Sequence, residues 1–211
     1  MDTLVRIARC SEPDNARSDN NHPCNTIVTS QKGASFQLPE PWNGDIFSAE
    51  VLFVASNPSY NPDEVFPDAG WNDNDINEFF TKRFDVDYYK KTRYFNLMLK
   101  YASWILNCEG GDESLPDRIC ITEIVHCKSR SEKGVSKCSE CCFNKWFSEV
   151  LELFNGKYIV LLGKFAEGYK ERIREKSGIE PIIMPHPNAR GVTDEERQNI
   201  VEKWESSNRV C

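Results

Sequence analysis

The sequence predicts an α/β fold, a three-layer α/β/α arrangement around a four-stranded parallel sheet, from three observations. Four short, continuous apolar runs have the length of strands that are buried on both faces. Segments with apolar residues at helical spacing separate these runs, as in chains whose parallel strands are joined by crossover helices. Polar residues able to do chemistry follow the runs, and parallel sheets bind ligands beyond the carboxyl ends of their strands.

The apolar runs define the four predicted strands, at 51–55, 119–125, 158–162 and 181–184. Helical periodicity predicts helices at 94–106, 143–154, 165–176 and 194–206. Thr193 and Glu196 have the spacing of a capping box, in which each side chain bonds the backbone N–H of the other residue. The last helix is therefore expected to begin directly after Thr193.

The first 45 residues are polar and contain several prolines. We expect residues 1–45 to form an irregular N-terminal arm and residues 46–211 to form one α/β/α domain. An irregular arm needs a constraint to hold it in place, and Cys10 and Cys24 could supply one.

Composition and charge exclude several classes of protein. The chain has 211 residues, of which 39% are hydrophobic, enough for a sizeable core and too many for a disordered chain. The net charge of -7 disfavours a broadly basic surface for nucleic acid. No apolar run approaches the ~20 residues that span a bilayer, and the N-terminus lacks the apolar region of a signal peptide. We expect a cytoplasmic monomer with no membrane partner.

The nine cysteines are odd in number and unevenly spaced, which does not fit a secreted disulfide framework. In a reducing compartment they are better explained as ligands of zinc or of an iron–sulfur cluster. The sequence Cys138-Ser139-Glu140-Cys141 has the spacing of a zinc hairpin and could bind zinc with two other cysteines. Cys108, Cys120 and Cys211 are assigned no ligand role.

Two side chains at strand ends could act on a substrate. His186 lies between two prolines after the fourth strand, where an imidazole can donate a hydrogen bond to a developing anion. Asn57 follows the first strand, and its amide could orient a water, although Asn before Pro is also a common turn residue. Each could equally be a loop residue without a chemical role.

Three segments, in this order along the chain, resemble the uracil-DNA glycosylase superfamily. Residues 54–59, Val-Ala-Ser-Asn-Pro-Ser, are similar to its first motif, and residues 184–190, Met-Pro-His-Pro-Asn-Ala-Arg, are similar to its second motif and wedge loop. The middle segment resembles the iron–sulfur branch, with Cys127 after a strand, Cys142 before a helix and Gly163 at the end of the next strand. The resemblance covers residues from about 50 to 191.

The resemblance implies a monofunctional DNA glycosylase, which flips a pyrimidine out of DNA and hydrolyses its N-glycosidic bond without a lyase step. It implies that Asn57 positions the attacking water and that His186 stabilises the departing base. Arg190, with Asn188 near it, matches the wedge that fills the gap left in the duplex. DNA is thus the implied partner.

The implied base pocket includes Ser56 and one stacking aromatic among Tyr60, Phe66 and Trp71. Where uracil-specific relatives have an Asn that reads the pyrimidine, this chain has Glu123. An ionised carboxylate only accepts hydrogen bonds and would favour the N4 amine of cytosine, whereas a protonated one can also donate. Uracil, cytosine and modified cytosine therefore all remain candidate bases.

The resemblance also implies a 4Fe–4S cluster held by four cysteines, with zinc as the alternative metal. Cys127 and Cys142 match the ligands of the middle segment. The family pairs two N-terminal ligands as Cys-x-x-Cys, whereas Cys10 and Cys24 lie fourteen residues apart. Cys138 or Cys141 could be the fourth ligand in place of Cys10.

A local basic edge could bind DNA despite the negative net charge. Residues 127–137 contain four basic residues and one acidic residue, and Lys128 and Arg130 are the predicted contacts. The alternatives to an enzyme of this kind are a non-catalytic binder of damaged or single-stranded DNA and a small-molecule α/β hydrolase. Repair and defence against modified foreign DNA are both open as biological roles.

Overall fold

The computed structural model describes residues 2–31, 35–83, 92–108 and 112–208. Four strands form one parallel sheet in the order β2-β1-β3-β4. They are β1 (Val51–Ala55), β2 (Ile119–Glu123), β3 (Tyr158–Leu162) and β4 (Ile182–Met184). The predicted α/β class and the four-stranded parallel sheet are confirmed.

Helices precede, connect and follow the strands in the described ranges. They are α1 (Thr3–Ala8), α2 (Glu12–Ser18), α3 (Asn25–Ser30), α4 (Asp73–Lys82), α5 (Arg93–Ile105), α6 (Val135–Cys142), α7 (Ser148–Leu153), α8 (Lys164–Glu167), α9 (Lys170–Ser177) and α10 (Asp194–Asn208). A π-helical segment, Phe143–Phe147, joins α6 to α7, and a 3-10 turn, Leu115–Arg118, precedes β2. None of the helices described combines the length and apolarity needed to cross a membrane.

The sheet is covered on both faces, as the predicted three layers require. β1 pairs in register with β3, from Val51 beside Tyr158 to Val54 beside Leu161. All five residues of β1 and all five of β2 are buried. Because successive side chains of a strand point to opposite faces, a strand that is buried at every position needs packing on both sides.

One face of the sheet packs against α5 and α10. Phe53 of β1 and Met184 of β4 share a buried cluster with Tyr101 of α5 and Val201 of α10. The short helix α8 contacts β1 and β3. This burial of apolar surface is the main stabilising contribution to the sheet.

Contacts divide the chain into two compact units, which alternate along the sequence. The first unit consists of Met1–Asn43, Ser56–Arg83 and Thr122–Leu153. The second consists of Gly44–Ala55, Phe84–Ile121 and Phe154–Cys211 and contains the sheet, except for the last two residues of β2. The segments that follow β1 and β2 thus belong to the same unit as the N-terminal residues.

The expectation of an irregular arm is wrong, because α1, α2 and α3 lie within the first 45 residues. Their apolar residues are buried, among them Ile7 of α1 and Ile27 of α3. Each of these helices has six or seven residues. Helices this short complete fewer than two turns, so their apolar periodicity is hard to distinguish in the sequence.

Two other boundaries differ from the expectation. The predicted helix at 165–176 is two helices, α8 and α9, interrupted at Gly168, a residue that loses much backbone freedom inside a helix. The second strand ends at Glu123, although the N–H of Val125 still donates to the carbonyl of Ser56 at 3.0 Å. The capping box is confirmed, with Thr193 and Glu196 bonding each other's backbone N–H.

Candidate functional site

In the first unit, the loop after β1 is bound to the loop after β2. Ser59 and Ser129 form a parallel bridge. The N–H of Tyr60 donates to the carbonyl of Ser129 at 3.0 Å, and the N–H of Ser129 donates to the carbonyl of Pro58 at 3.1 Å. These backbone hydrogen bonds hold the segment that contains Asn57 in a fixed position.

The half-buried side chain of Asn57 is oriented by this pairing. Its amide nitrogen donates to the carbonyl of Pro58 and to Oγ of Ser129, both at 2.8 Å. These two bonds use both amide hydrogens, so Oδ1 is the side-chain atom that accepts further hydrogen bonds. Oδ1 is thus the atom through which Asn57 could accept a hydrogen bond from a water, and the role of Asn57 in positioning that water stays a prediction.

Ser56, at the end of β1, is buried, and its hydroxyl donates to Oε1 of Glu132 at 3.1 Å. Glu132 itself is exposed. The contact places a carboxylate against the residue that precedes Asn57. Neither the motif nor the charge pattern of the sequence had indicated it.

Glu123, the predicted base-reading residue, is buried with an exposed fraction of 6%, and its Oε2 has no hydrogen-bond partner. Burial and then the nearby Glu40 carboxylate raise the pKa of Glu123 well above its ordinary value. The positive charges of Arg83 and Lys128 oppose this shift without reversing it. The raised pKa favours the protonated form of Glu123, whose O–H can donate.

Lys128 is one of the most buried side chains, with an exposed fraction of 1%. Its Nζ lies 2.7 Å from Oε2 of Glu64 and 3.8 Å from Oε2 of Glu40. The prediction that Lys128 contacts DNA is wrong, because its charge is neutralised inside the protein. Arg130 is exposed and remains a candidate contact.

Glu40 is an ionised carboxylate in the buried network that it forms with Lys128. Burial alone would raise its pKa, but the neighbouring Arg83 and Lys128 outweigh burial and hold the pKa of Glu40 below its ordinary value. Arg83 lies 3.1 Å from Oε2 of Glu40 and also pairs with Glu64. Asn43 donates to Oε1 of Glu40 at 2.5 Å. The network thus consists of two carboxylates and two cations, with the neutral Glu123 beside it.

The predicted stacking aromatics occupy three different environments. Phe66 is buried and packs edge-on against Phe79, and Nζ of Lys128 lies 3.6 Å from its ring centroid. A ring enclosed in this way offers no face to a base, so the expectation for Phe66 is wrong. Tyr60 is half-buried in the loop that is paired with Ser129.

Trp71 lines a surface cleft of about 500 Å³ together with Asp75, Glu78 and Phe79. The two carboxylates make this cleft acidic, an environment that repels the phosphates of DNA. Trp71 is therefore a poor candidate for the stacking residue. Of the three aromatics, Tyr60 has the position most consistent with that role.

In the second unit, the tautomer of His186 is set by its own loop. Its Nδ1 accepts the N–H of Asn188 at 3.2 Å, which places the proton of the neutral ring on Nε2. The ring of Tyr94 packs against the imidazole, with centroids 5.5 Å apart. At Gly163, where φ is +83°, an added Cβ would lie 3.2 Å from Cβ of His186. Glycine thus permits the close approach of the His186 loop to the end of β3.

The loop from Pro185 to Val192 is held by Arg197, which is buried with an exposed fraction of 2%. Nη1 of Arg197 donates to the carbonyl of Val192, and Nη2 donates to that of Ala189 at 3.4 Å. Its Nε donates to the hydroxyl of Tyr101 at 2.9 Å, and that hydroxyl donates to the carbonyl of Pro185 at 3.1 Å. The predicted wedge residues Asn188 and Arg190 are exposed on this loop.

The first unit also contains six cysteines, namely Cys10, Cys24, Cys127, Cys138, Cys141 and Cys142. Burial raises the pKa of Cys127 well above its ordinary value, and the nearby Cys142, Cys24, Cys10 and Cys141 add to this effect. The thiols of Cys138 and Cys24 share a hydrogen bond, and this hydrogen bond is the main cause that lowers the pKa of Cys24 to about 7. The six thiols are therefore close enough to influence one another electrostatically.

Two of the sulfurs accept hydrogen bonds from N–H groups. The indole of Trp146 donates to Sγ of Cys10 at 3.0 Å, and the N–H of His126 donates to Sγ of Cys142 at 3.4 Å. Burial raises the pKa of both thiols, and these donors act against burial by stabilising the thiolate, the form that binds metals. As metal ligands, the six cysteine sulfurs suit either an iron–sulfur cluster or zinc. Within the described ranges, however, no three His, Cys, Asp or Glu side chains form a group with metal-binding geometry.

The other three cysteines lie elsewhere. Cys120 is buried in β2, and Cys108 is half-buried after α5. Cys211 lies outside the described residues.

No family model matches the chain, and no curated protein matches it.

Four residues that contact the candidate site residues were not predicted from the sequence, namely Glu40, Tyr94, Glu132 and Arg197. One signal was available for Arg197, because a cation is unfavourable in the first turn of a helix and this one follows three acidic residues. Glu132 lies within a basic segment, where a single carboxylate is easily taken for a solvated charge.

The raised pKa of Glu123 predicts a pH-dependent stability. Below the ordinary carboxyl pKa its contribution is fully present, and it is lost as pH rises toward the folded-state pKa, because only the unfolded chain releases the proton. Glu123→Gln, which is always neutral, should therefore become more stable relative to the native protein as pH rises from 5 to 8, by up to about 1.4 kcal/mol per pH unit. Denaturant titrations measure this difference.

The groups that face Glu123 are Glu40, Arg83 and Lys128. They are unchanged in the variant, so the comparison isolates Glu123. Glu175→Gln, an exposed substitution of the same type on α9, should show no such trend. A difference between Glu123→Gln and the native protein that is constant with pH would contradict a protonated Glu123.

Arg197→Met should destabilise the protein by about 2–4 kcal/mol, because it removes the donors to two loop carbonyls and to the Tyr101 hydroxyl in a buried site. Arg174→Met removes an exposed arginine paired with Glu171 and should cost less than about 1 kcal/mol. Equal losses for the two variants in chemical denaturation would show that Arg197 does not hold the loop.

Proposed function

We propose that the protein is a monofunctional DNA glycosylase that hydrolyses the N-glycosidic bond of a flipped pyrimidine. The observation that carries the proposal is the orientation of Asn57. Both of its amide hydrogens are donated within the protein, and its Oδ1 is the atom that accepts from a water. This arrangement occurs in the segment that resembles the first motif of the superfamily.

His186 has the complementary role of stabilising the departing base. Cleavage of the glycosidic bond leaves negative charge on the pyrimidine, and an N–H donor directed at its O2 lowers the energy of the transition state. The bond from Asn188 to Nδ1 supports this role, because it fixes the neutral tautomer with the proton on Nε2. A neutral imidazole can thus donate without first being protonated.

The protonation of Glu123 bears on the class of base. A carboxyl group presents one O–H donor and one carbonyl acceptor, and either oxygen can carry the proton. It can therefore match the O4 and N3–H of uracil or, in the reverse order, the N4 amine and N3 of cytosine. We propose that the substrates are pyrimidines of both kinds, including modified cytosines.

DNA contacts are proposed for the exposed side chains of Arg130, Asn188 and Arg190. With a net charge of -7 and Lys128 buried, few phosphate contacts are available to these residues. Binding should therefore be weak, with only a shallow dependence on salt concentration.

For the cysteines we propose a 4Fe–4S cluster held by Cys24, Cys127, Cys142 and one of Cys10, Cys138 and Cys141, with zinc as the alternative. The donors to the sulfurs of Cys10 and Cys142 support a thiolate site. A bound cluster would supply a structural cross-link between α1–α3 and the segments that follow β2. The hydrogen bond between the thiols of Cys24 and Cys138 makes Cys138 as well placed as Cys10 to be the fourth ligand.

The native protein should excise uracil and cytosine-type bases from oligonucleotides, scored as alkali-labile abasic sites, while hypoxanthine serves as a purine comparison. Asn57→Ala and His186→Ala should each lower the single-turnover rate by about 100- to 1,000-fold, since each removes a group that acts on the transition state. Asn96→Ala, an exposed substitution on α5, is the matched control and should leave the rate unchanged.

Inactivity of the native protein on every base would contradict the glycosylase. If it nevertheless bound DNA that contains damaged or unpaired bases, the non-catalytic binder would be favoured.

Protein purified without oxygen should be brown and contain iron. Cys24→Ser, Cys127→Ser and Cys142→Ser should each lose the colour and the iron, because the cluster requires four thiolates. Single serine variants of Cys10, Cys138 and Cys141 identify the fourth ligand as the one whose loss has the same effect. Cys108→Ser is the control, because Cys108 belongs to the second unit. A colourless protein containing zinc would select the alternative, and a metal-free native protein would contradict both.

A further inference from the structure

We propose that Glu132 is the general base that accepts the proton of the attacking water. This inference rests on the proposed glycosylase function. An amide such as that of Asn57 can orient a water but cannot accept its proton at neutral pH. Hydrolysis by a site built on Asn57 therefore needs a second group, and a carboxylate is the chemistry suited to it.

The position of Glu132 suits it to act as the general base. Its Oε1 accepts the hydroxyl of Ser56 at 3.1 Å, and Ser56 directly precedes Asn57 in the chain. Glu132 is exposed, so a DNA substrate can reach its carboxylate. Asn57 is itself held to Ser129, three residues before Glu132. The water-orienting amide and this carboxylate thus share the two loops that are paired through Ser59 and Ser129.

The backbone conformation at Glu132 also supports this role. Ser131 and Glu132 have φ angles of +54° and +56°, the left-handed region that side chains other than glycine rarely adopt. Two successive residues of this kind are costly and persist only where the surroundings hold them. Here the loop is fixed on both sides, by the pairing of Ser129 and by Gly134, where an added Cβ would lie 2.5 Å from the backbone nitrogen of Ile27. The strained turn directs the Glu132 carboxylate toward Ser56.

The other carboxylates of this region are unsuited to the role. Glu40 and Glu64 are engaged with Arg83 and Lys128 in the buried network. Glu123 is buried, and its raised pKa favours the protonated form, which cannot accept a further proton. Glu132 combines exposure with a position beside Asn57.

The step balances without a further reactant. As the bond between C1′ of the sugar and the base nitrogen breaks, its electron pair leaves with the base. The water oxygen bonds to C1′, and one water proton passes to the Glu132 carboxylate. The departing base anion then takes up the proton from Glu132, which returns Glu132 to its ionised form; where solvent protonates the base instead, Glu132 releases its proton to solvent.

The test is the single-turnover excision rate of Glu132→Gln on the best base of the oligonucleotide panel. The rate should fall about 100-fold or more without a loss of DNA affinity, because the variant loses proton transfer and otherwise removes a negative charge that repels phosphates. The rise of the native rate with pH on the acid side should disappear in the variant. Glu175→Gln makes the same change of charge on α9 and should alter neither the rate nor its pH profile.

A second variant separates a base from a merely structural residue. Glu132→Ala should be slow, and added formate, a small carboxylate, should restore part of its rate, whereas formate should not affect the native protein. Melting temperatures show whether each variant is folded, and Glu132→Asp, which keeps a carboxylate, should retain more activity than Glu132→Gln.

The outcomes are distinguishable. An active native protein whose rate and pH profile survive in Glu132→Gln would overturn the role of Glu132 and leave the glycosylase standing. Loss of rate in Glu132→Ala without rescue by formate, in a folded protein, would also overturn it. A native protein inactive on every base would overturn both the function and this inference.

Discussion

The burial of one ammonium group, that of Lys128, determines much of the first unit. A buried charge is tolerated only when it is paired, and Glu64, Glu40 and the face of Phe66 surround this one. Lys128 directly precedes Ser129, so the ion pairs fix the loop to which Asn57 is bound. The same network keeps Glu40 ionised, and that negative charge helps to keep Glu123 neutral. The placement of one candidate catalytic side chain therefore depends on this buried cation, and the network around it influences the protonation of the candidate base-reading residue.

The second unit uses a comparable device. Arg197 is also a buried cation, and its partners are mostly backbone carbonyls of the loop that contains His186. A guanidinium suits this role because its donors spread over a fixed plane and can bond several carbonyls at once. Tyr101 extends the set of bonds to Pro185, the residue before His186. In each unit, then, a loop with a candidate functional residue is held by a cation that the sequence alone would place at the surface.

Periodicity predicted what depends on apolar burial. The strands at 51–55 and 158–162 have the predicted limits, and α5 and α10 begin within one residue of the expectation. The strand-end positions of Asn57 and His186 follow from the same pattern. Lys128 and Glu132 could not be assigned in this way, because their partners are distant in sequence, and the bond from Arg197 to Tyr101 joins residues 96 positions apart. Glu64 and Lys128, for example, are separated by 64 positions. Hydropathy describes a lysine as exposed unless its partners are known, and no local pattern identifies partners that far away.

The internal use of cations also changes the meaning of the negative net charge. Lys128 and Arg197 count toward the 26 basic residues but present almost no charge to solvent. Arg83 is largely committed to Glu40 and Glu64. The charge available for phosphates is thus smaller than the composition suggests, and in the proposed glycosylase the affinity for DNA would come mainly from recognition of the flipped base. For such an enzyme the donors and acceptors of the pocket matter more than the surface potential. In the proposed site, both affinity and choice of base then depend on the protonation state of Glu123.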